Sequence, residues 1–491
     1  MRSTLKKLAP LAALALASAV STTCPARADT SPMSGEVAKV LCVGGAEISE
    51  GQQIAGCTKV LAGKRLDNDA RKSAYYLRGT AYNEQGAYDR ALADFNAALK
   101  IDPNYGGAYR GRGEAHYRRK EYGPAIADDT AYIKIDPNGD GWLARSAAYL
   151  ATDRYDEAIA DLSEIIKRHP NWAGPYTNRG EAYRLKGQTD LSLADLDRAI
   201  ALDSDDSYAW FDRGITYSDR GNPDLAIENY NQAIRLKGDD PWYYNNRGNS
   251  YADKHEIEQA FADYDHAIKL DPKFALAYFN RGTAYRNKHD DDKALADFDE
   301  SIRLDPSYAP AWGNRARVFR DRGEIDKAFA DLNQSLKINP TGTKDAFARA
   351  NLYFDKHQYM DALFDYDTAV NYDPKYAEAL NGRCITKAIV GRAKDGLADC
   401  EAALKLKPDD AYALDSRAFC HLKLGEYDAA IAGFNEALAV KPELANSLYG
   451  RGIAESRSGD FERAHKDIAA ARAINAAIAD EFERYGVAKV E

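Results

Sequence analysis

Residues 275–308 read ALAYFNRGTAYRNKHDDDKALADFDESIRLDPSY. Counted from Ala275, Tyr278, Gly282 and Tyr285 fall at positions 4, 8 and 11, spaced to form one buried stripe of a helix. Asp290-Asp291-Asp292 then break the pattern, a second apolar pattern runs from Ala294, and Pro306 stops it, as proline stops a helix. The segment is one helix, a turn and a second helix. Neither helix could bury its apolar face alone, so the unit needs neighbours.

Working outward, the neighbours are present. Arg281 at position 7 belongs to a series: Arg78, Arg112, Arg145, Arg179, Arg213, Arg247, Arg281, Arg315, Arg349, Arg383, Arg417 and Arg451. Ten of the eleven intervals are 34 residues and one is 33, which defines twelve rows. Position 8 is small in each row, from Gly79 and Ser146 to Ala350, Cys384 and Gly452, and so is position 20, as in Ala91, Ala226 and Ala464. Two small sites per row let two helix backbones approach closely. Position 4 is aromatic in the first eight rows, from Tyr75 to Trp312, position 15 is often Gly, and nine of twelve rows end at Pro.

These residues resemble the tetratricopeptide repeat (TPR), whose 34-residue unit has an aromatic at 4, small residues at 8 and 20, Tyr at 11, an aromatic at 24 and Pro at 32. The resemblance spans residues 72–478. It implies an all-α superhelical solenoid of about twelve helix-turn-helix repeats with atypical end caps. The departures from the family pattern are Arg in place of Leu at position 7, Asp129 at position 24 of the short second row, and aliphatic residues at position 4 from Ala346 onward. Position 23 is Asp in ten rows, including Asp94, Asp195, Asp365 and Asp467. An Arg-to-Asp ladder follows, because Arg tolerates partial burial when a carboxylate meets its planar fork. Whether the Asp belongs to the same row or the preceding one stays open.

The ends differ from the rows. Residues 1–28 read as a secretory signal: Arg2, Lys6 and Lys7, an apolar run from Leu8 to Val20, and a cleavage site at Ala26-Arg27-Ala28. A lipoprotein signal at Cys24 is the competing reading, and Ser21, Thr22 and Thr23 lack the aliphatic residue it needs. Residues 29–71 form an N-terminal helical cap, and residues 479–491 finish a C-terminal capping helix, with Ala476 to Tyr485 covering the last hairpin. The whole chain carries 66 basic and 76 acidic residues; removing four basic ones leaves 62 against 76, a mature charge of −14. That balance disfavours nucleic acid as a partner, and no later segment has the apolar length to span a bilayer. A periplasmic or secreted, monomeric protein is expected.

Export makes disulfides plausible for Cys42, Cys57, Cys384, Cys400 and Cys420. Cys384 and Cys400 occupy positions 8 and 24 of one row, and Cys42 and Cys57 have nearly the same separation, so these two bridges are expected with Cys420 unpaired. Five free cysteines, or a Cys400–Cys420 bridge, are the alternatives. No metal or cofactor is expected: the cysteines lack zinc-knuckle spacing, and Asp290-Asp291-Asp292 lacks the ligand spacing of an EF-hand. The histidines, such as His116, His255, His289 and His421, have no recurring partner for base catalysis. No phosphate loop or nucleophile elbow appears, so an enzyme is not expected.

What remains is a scaffold of the cell envelope that binds a protein or peptide segment. The alternative is an assembly or structural factor of an envelope complex such as one exporting polysaccharide. In TPR proteins the stripe at positions 2, 5, 9 and 12 lines the concave face. Here that stripe holds Tyr208, Phe211, Trp242, Asn245, Asn249, Phe279, Arg286, Arg317 and Arg320. Aromatics beside Arg and Asn have the composition of binding hot spots. An acidic or mixed extended segment is expected against residues 207–342, with Trp242 and Arg320 contributing to affinity. The competing reading is that these side chains only pack against one another.

Overall fold

The computed structural model describes residues 35–63 and 66–488, so the signal-peptide reading lies outside the described residues. All 27 elements among those residues are helices. The chain divides into two compact units at Asp271/Pro272. The first holds helices Gly35–Val43 and Glu50–Leu61 and then rows one to six; the second holds rows seven to twelve and the short helix Ile478–Arg484.

Each row is a hairpin. Row ten, Ala377–Ile389 and Ala393–Leu406, is representative. Its turn needs a left-handed residue at position 15, and all twelve rows supply one. Seven use Gly, among them Gly391 at φ 85°; five hold Lys120, Asp153, His255, His289 and His357 at φ near 60° without glycine's freedom. Hairpin geometry is thus kept where the sequence lacks its usual residue.

The hairpin is tight because position 8 faces position 24. A Cβ on Gly214 would lie 2.6 Å from the Tyr230 ring, and one on Gly248 would lie 2.8 Å from Tyr264. In row ten the same two positions are Cys384 and Cys400, and a disulfide joins them. A second disulfide, Cys42–Cys57, joins the two N-terminal helices, where Gly56 allows an equally close approach to Leu41. Cys420 is a buried free thiol.

Two details differ from the sequence expectation. Fully buried faces run through positions 3, 8 and 10, for example Ala277, Gly282 and Ala284, while the aromatics at 4 and, apart from Tyr149, at 11 are only half-buried. The reason is the arginine: Arg145 lies over Trp142 at 5.2 Å and over Tyr149 at 5.7 Å, and Arg247 over Tyr244 and Tyr251. Rings at 4 and 11 sandwich the position-7 guanidinium and stay at the rim with it.

Candidate functional site

The ladder closes within each row. Arg112 donates through Nε and Nη2 to Asp128 at 2.8 and 2.6 Å, and Arg179, Arg247, Arg315 and Arg383 repeat the fork on Asp195, Asp263, Asp331 and Asp399. The remaining Nη1 reaches the preceding row: Arg112 to Asn96, Arg145 to Thr130, Arg349 to Asn333. In Arg112, Arg145 and Arg349 all three guanidinium nitrogens thus hold a partner within the stack. Row five substitutes Asn229 for the Asp, and row eleven, with Gly433 there, turns Arg417 to Glu436 instead.

Within each unit successive first helices touch one another, Asn68–Glu84 with Gly106–Arg118 and Ala377–Ile389 with Ala411–Leu424, so first helices line the inside of each stack. The candidate binding residues sit on these helices but do not share one fate. Position 5 goes into the core. Phe211 is 2% exposed, with its ring centroid 4.7 Å from Tyr243 and 5.7 Å from Tyr230, and Asn245 is 1% exposed. Phe279 is half-buried, edge-on to Tyr308 at 5.1 Å and 6.0 Å from Phe298. The cause is local: a small residue at position 8 admits the position-24 ring, and position 5, nearly one turn earlier, packs on that ring. Phe211 and Asn245 are therefore packing residues and offer no accessible surface, a correction to the expected stripe.

The candidates at positions 2, 9 and 12 are half-buried or exposed. In the first unit, Tyr208 and Trp242 are half-buried; Lys237 donates to the Tyr208 hydroxyl at 3.1 Å, and the Asn249 carbonyl accepts from the Tyr264 hydroxyl at 2.8 Å. In the second unit Arg286, Arg317 and Arg320 come together with a residue the stripe did not include. Asn314 Oδ1 accepts from Arg286 Nη1 at 2.5 Å and from Arg317 Nη1 at 3.4 Å. Arg317 also donates to Asp345 at 3.1 Å, and Arg320 pairs with its neighbour Asp321. Asp345 can reach in because position 5 of row eight is Gly313, where a Cβ would lie 2.5 Å from both carboxylate oxygens.

The profiles of known families agree with this architecture. Tetratricopeptide repeat profiles match residues 73–105, 140–171, 173–206, 275–308 and 292–343, and a TPR repeat profile matches 216–254 and 248–288. The chain belongs to the tetratricopeptide repeat family. Among curated proteins none matches the sequence. Similar solved structures include YrrB, described as a TPR protein with an unusual peptide-binding site, at 22% identity over 38% of this chain and 97% of that one, TM-score 0.31. The Cut9–Hcn1 hetero-tetramer of APC/C is similar at 14% identity over 89% and 93%, TM-score 0.41, and yeast Tom70 at 17% over 85% and 100%, TM-score 0.39.

First helices of both units carry ionisable groups held away from their ordinary pKa. In the second, burial and then the neighbouring guanidinium of Arg317 pull the Arg286 pKa below its ordinary value; Arg320 adds to this and Asp321 opposes it. In the first, Glu181 and Asp212 are buried carboxyls that nothing in the repeat pattern announced. Burial, followed by the Glu181 charge, holds Asp212 well above the usual carboxylate range. His116 and His421 each meet a glutamate across their own turn, Glu121 and Glu426, at 2.6 Å. Asp290 caps a helix through the Lys293 amide, while Asp291 and Asp292 face Arg322.

Proposed function

We propose that this TPR protein is a non-catalytic scaffold whose second unit holds an acidic, extended segment of a partner protein against the first helices of rows seven and eight. One observation carries the reading: the half-buried Arg286 guanidinium spends its hydrogen bonds on two amide oxygens, Asn314 at 2.5 Å and Asn287 at 3.3 Å, with Arg317 and Arg320 beside it. A carboxylate placed there would relieve that repulsion and form charge-assisted hydrogen bonds. In the first unit the half-buried Tyr208 and Trp242 offer aromatic contact area of the hot-spot kind.

The test is a titration of labelled Glu-rich and Lys-rich peptides into the full chain. Preferential binding of the acidic peptide, weakened by salt and by Arg286→Ala, supports the proposal. Equal binding of both peptides, or no effect of Arg286→Ala, overturns it. With a partner recovered by crosslinking in intact cells, Trp242→Ala and Arg320→Ala each weaken binding by about 1–3 kcal/mol; full affinity in both places the contact elsewhere.

The protein is further proposed to act outside the cytoplasm, supported by the signal-like residues 1–28. N-terminal sequencing of the protein recovered from the cell envelope or medium should begin at Asp29; an intact Met1 in that fraction would refute cleavage.

A further inference from the structure

In a stacked repeat each row touches only its neighbours, yet the end of this chain breaks that rule. The helix Ile478–Arg484 follows row twelve and packs on that row's two helices, Ala445–Ser458 and Phe461–Ile474. It also travels back. Phe482, 2% exposed, lies edge-on to Tyr449 at 4.9 Å and to Phe419 of row eleven at 5.6 Å. Tyr485 lies 6.0 Å from Phe419 and reaches Phe354 at 6.4 Å and Tyr359 at 6.3 Å, both in row nine. Lys423 of row eleven donates to the carbonyl oxygens of Tyr485 at 2.7 Å and Gly486 at 3.3 Å, the open end of the short helix.

The surface under this segment is made of first-helix positions: Tyr449 is position 5, Phe419 position 9, Phe354 position 12 and Lys423 position 13. A cap has to cover the last row alone; this segment spans rows nine to twelve along their inner side. Its anchors are Ile478, Phe482 and Tyr485, an i, i+4, i+7 set on one helical face, the pattern by which an amphipathic helix seats in a groove. Burial lowers the pKa of Lys423, and its hydrogen bonds go to backbone carbonyls.

We infer that the inner side of rows nine to twelve is a helix-binding groove, filled in this structure by the chain's own residues 478–487. In trans it takes a partner helix with an aliphatic and two aromatic side chains at i, i+4 and i+7, whose C-terminal carbonyls meet Lys423. The groove is separate from the basic centre around Arg286, and either can fail without the other. While the tethered segment is seated it competes at an effective concentration of roughly millimolar, so an outside helix binds only after displacing it.

The experiment uses the full chain and a fluorescent synthetic peptide covering residues 476–488. The Phe482→Ala/Tyr485→Ala chain should bind the peptide about tenfold or more tightly than the unaltered chain, because its own segment no longer competes. A peptide lacking both aromatics should not bind, and adding Lys423→Ala to the double variant should weaken binding. The milder Tyr485→Ala chain, which keeps Ile478 and Phe482, should show a gain of about fivefold. Equal affinity for altered and unaltered chains, or no binding to a variant of unchanged helicity, overturns the inference. So does loss of the helical signal in both variants, since the segment would then be part of the fold and not an exchangeable occupant.

Discussion

Arg349 grips Asp365 with two parallel hydrogen bonds, Nε to Oδ2 at 2.7 Å and Nη2 to Oδ1 at 2.8 Å, while its third nitrogen reaches back to Asn333 of the preceding row. The carboxylate side chain is 2% exposed and the arginine 18%. Removing the arginine therefore strands the more deeply buried charge. Arg349→Ala should cost about 3–5 kcal/mol in urea denaturation, and Asp365→Ala less, since its stranded arginine keeps Asn333 and some water. Equal costs would show that the two partners are desolvated alike.

The close approach of positions 8 and 24 gives a second expectation. Gly214→Ala puts a methyl 2.6 Å from Tyr230 and should destabilise by about 1–3 kcal/mol. Row eight shows the compensation, because Ala316 there faces Leu332. Adding Tyr230→Leu to Gly214→Ala should recover part of the loss, and thermal melts of the three chains would show whether it does.

Asp129 occupies a site that is apolar or aromatic in most rows, and no hydrogen bond satisfies its buried Oδ1. Burial, opposed mainly by Arg110, raises its pKa from 3.8 to about 7. The folded chain thus holds this proton where the unfolded chain releases it, so the contribution of Asp129 to stability falls as pH rises between about 4 and 7. Asp129→Asn should leave the melting temperature nearly unchanged at pH 4 and raise it at pH 8. A pH-independent difference would contradict the assignment.

The cysteines are open to a chemical count. Cys420 is the free thiol among the described residues, and burial pushes its pKa up to about 12, so it should resist alkylation at pH 8 until the chain is unfolded. Reduction should release Cys42, Cys57, Cys384 and Cys400 and lower the melting temperature. The two bridges span 15 and 16 residues, each contributing about 3 kcal/mol on the chain-entropy view. Peptide mapping without reductant checks the pairing.

A turn substitution isolates the cost of backbone conformation. Lys120 is exposed and sits at φ 62° where seven rows place Gly. Lys120→Gly should stabilise by up to about 1 kcal/mol in the same denaturation assay. A loss would mean that its side chain contributes more than the strain.

The repeat could be read from the recurring Arg alone, since a residue returning every 34 positions leaves few architectures. Position 5 was misplaced because helical spacing gives an angle and not a depth: the stripe containing Phe211 is correctly drawn, but the small residue at 214 lets Tyr230 rise and bury it. Asn314 and Asp345 escaped notice because they come from positions 6 and 3, outside any single stripe, and reach Arg286 and Arg317 respectively across rows. The tail's aromatics are plain in the sequence, but nothing in their spacing says that Tyr485 returns to Phe354.

The own-row grip of arginine on aspartate also bears on how such a chain can change its length. Loss or duplication of 34 residues in register carries both members of the ion pair together, so neither remnant is left with an orphaned charge. The link across the new seam is undemanding, because the third arginine nitrogen donates to Asn96, Thr130, Ser163 or Asp197 in different rows. Slippage of the coding sequence by one repeat would then yield a foldable protein at once, with the number of repeats free to drift and the reach of the binding surface drifting with it.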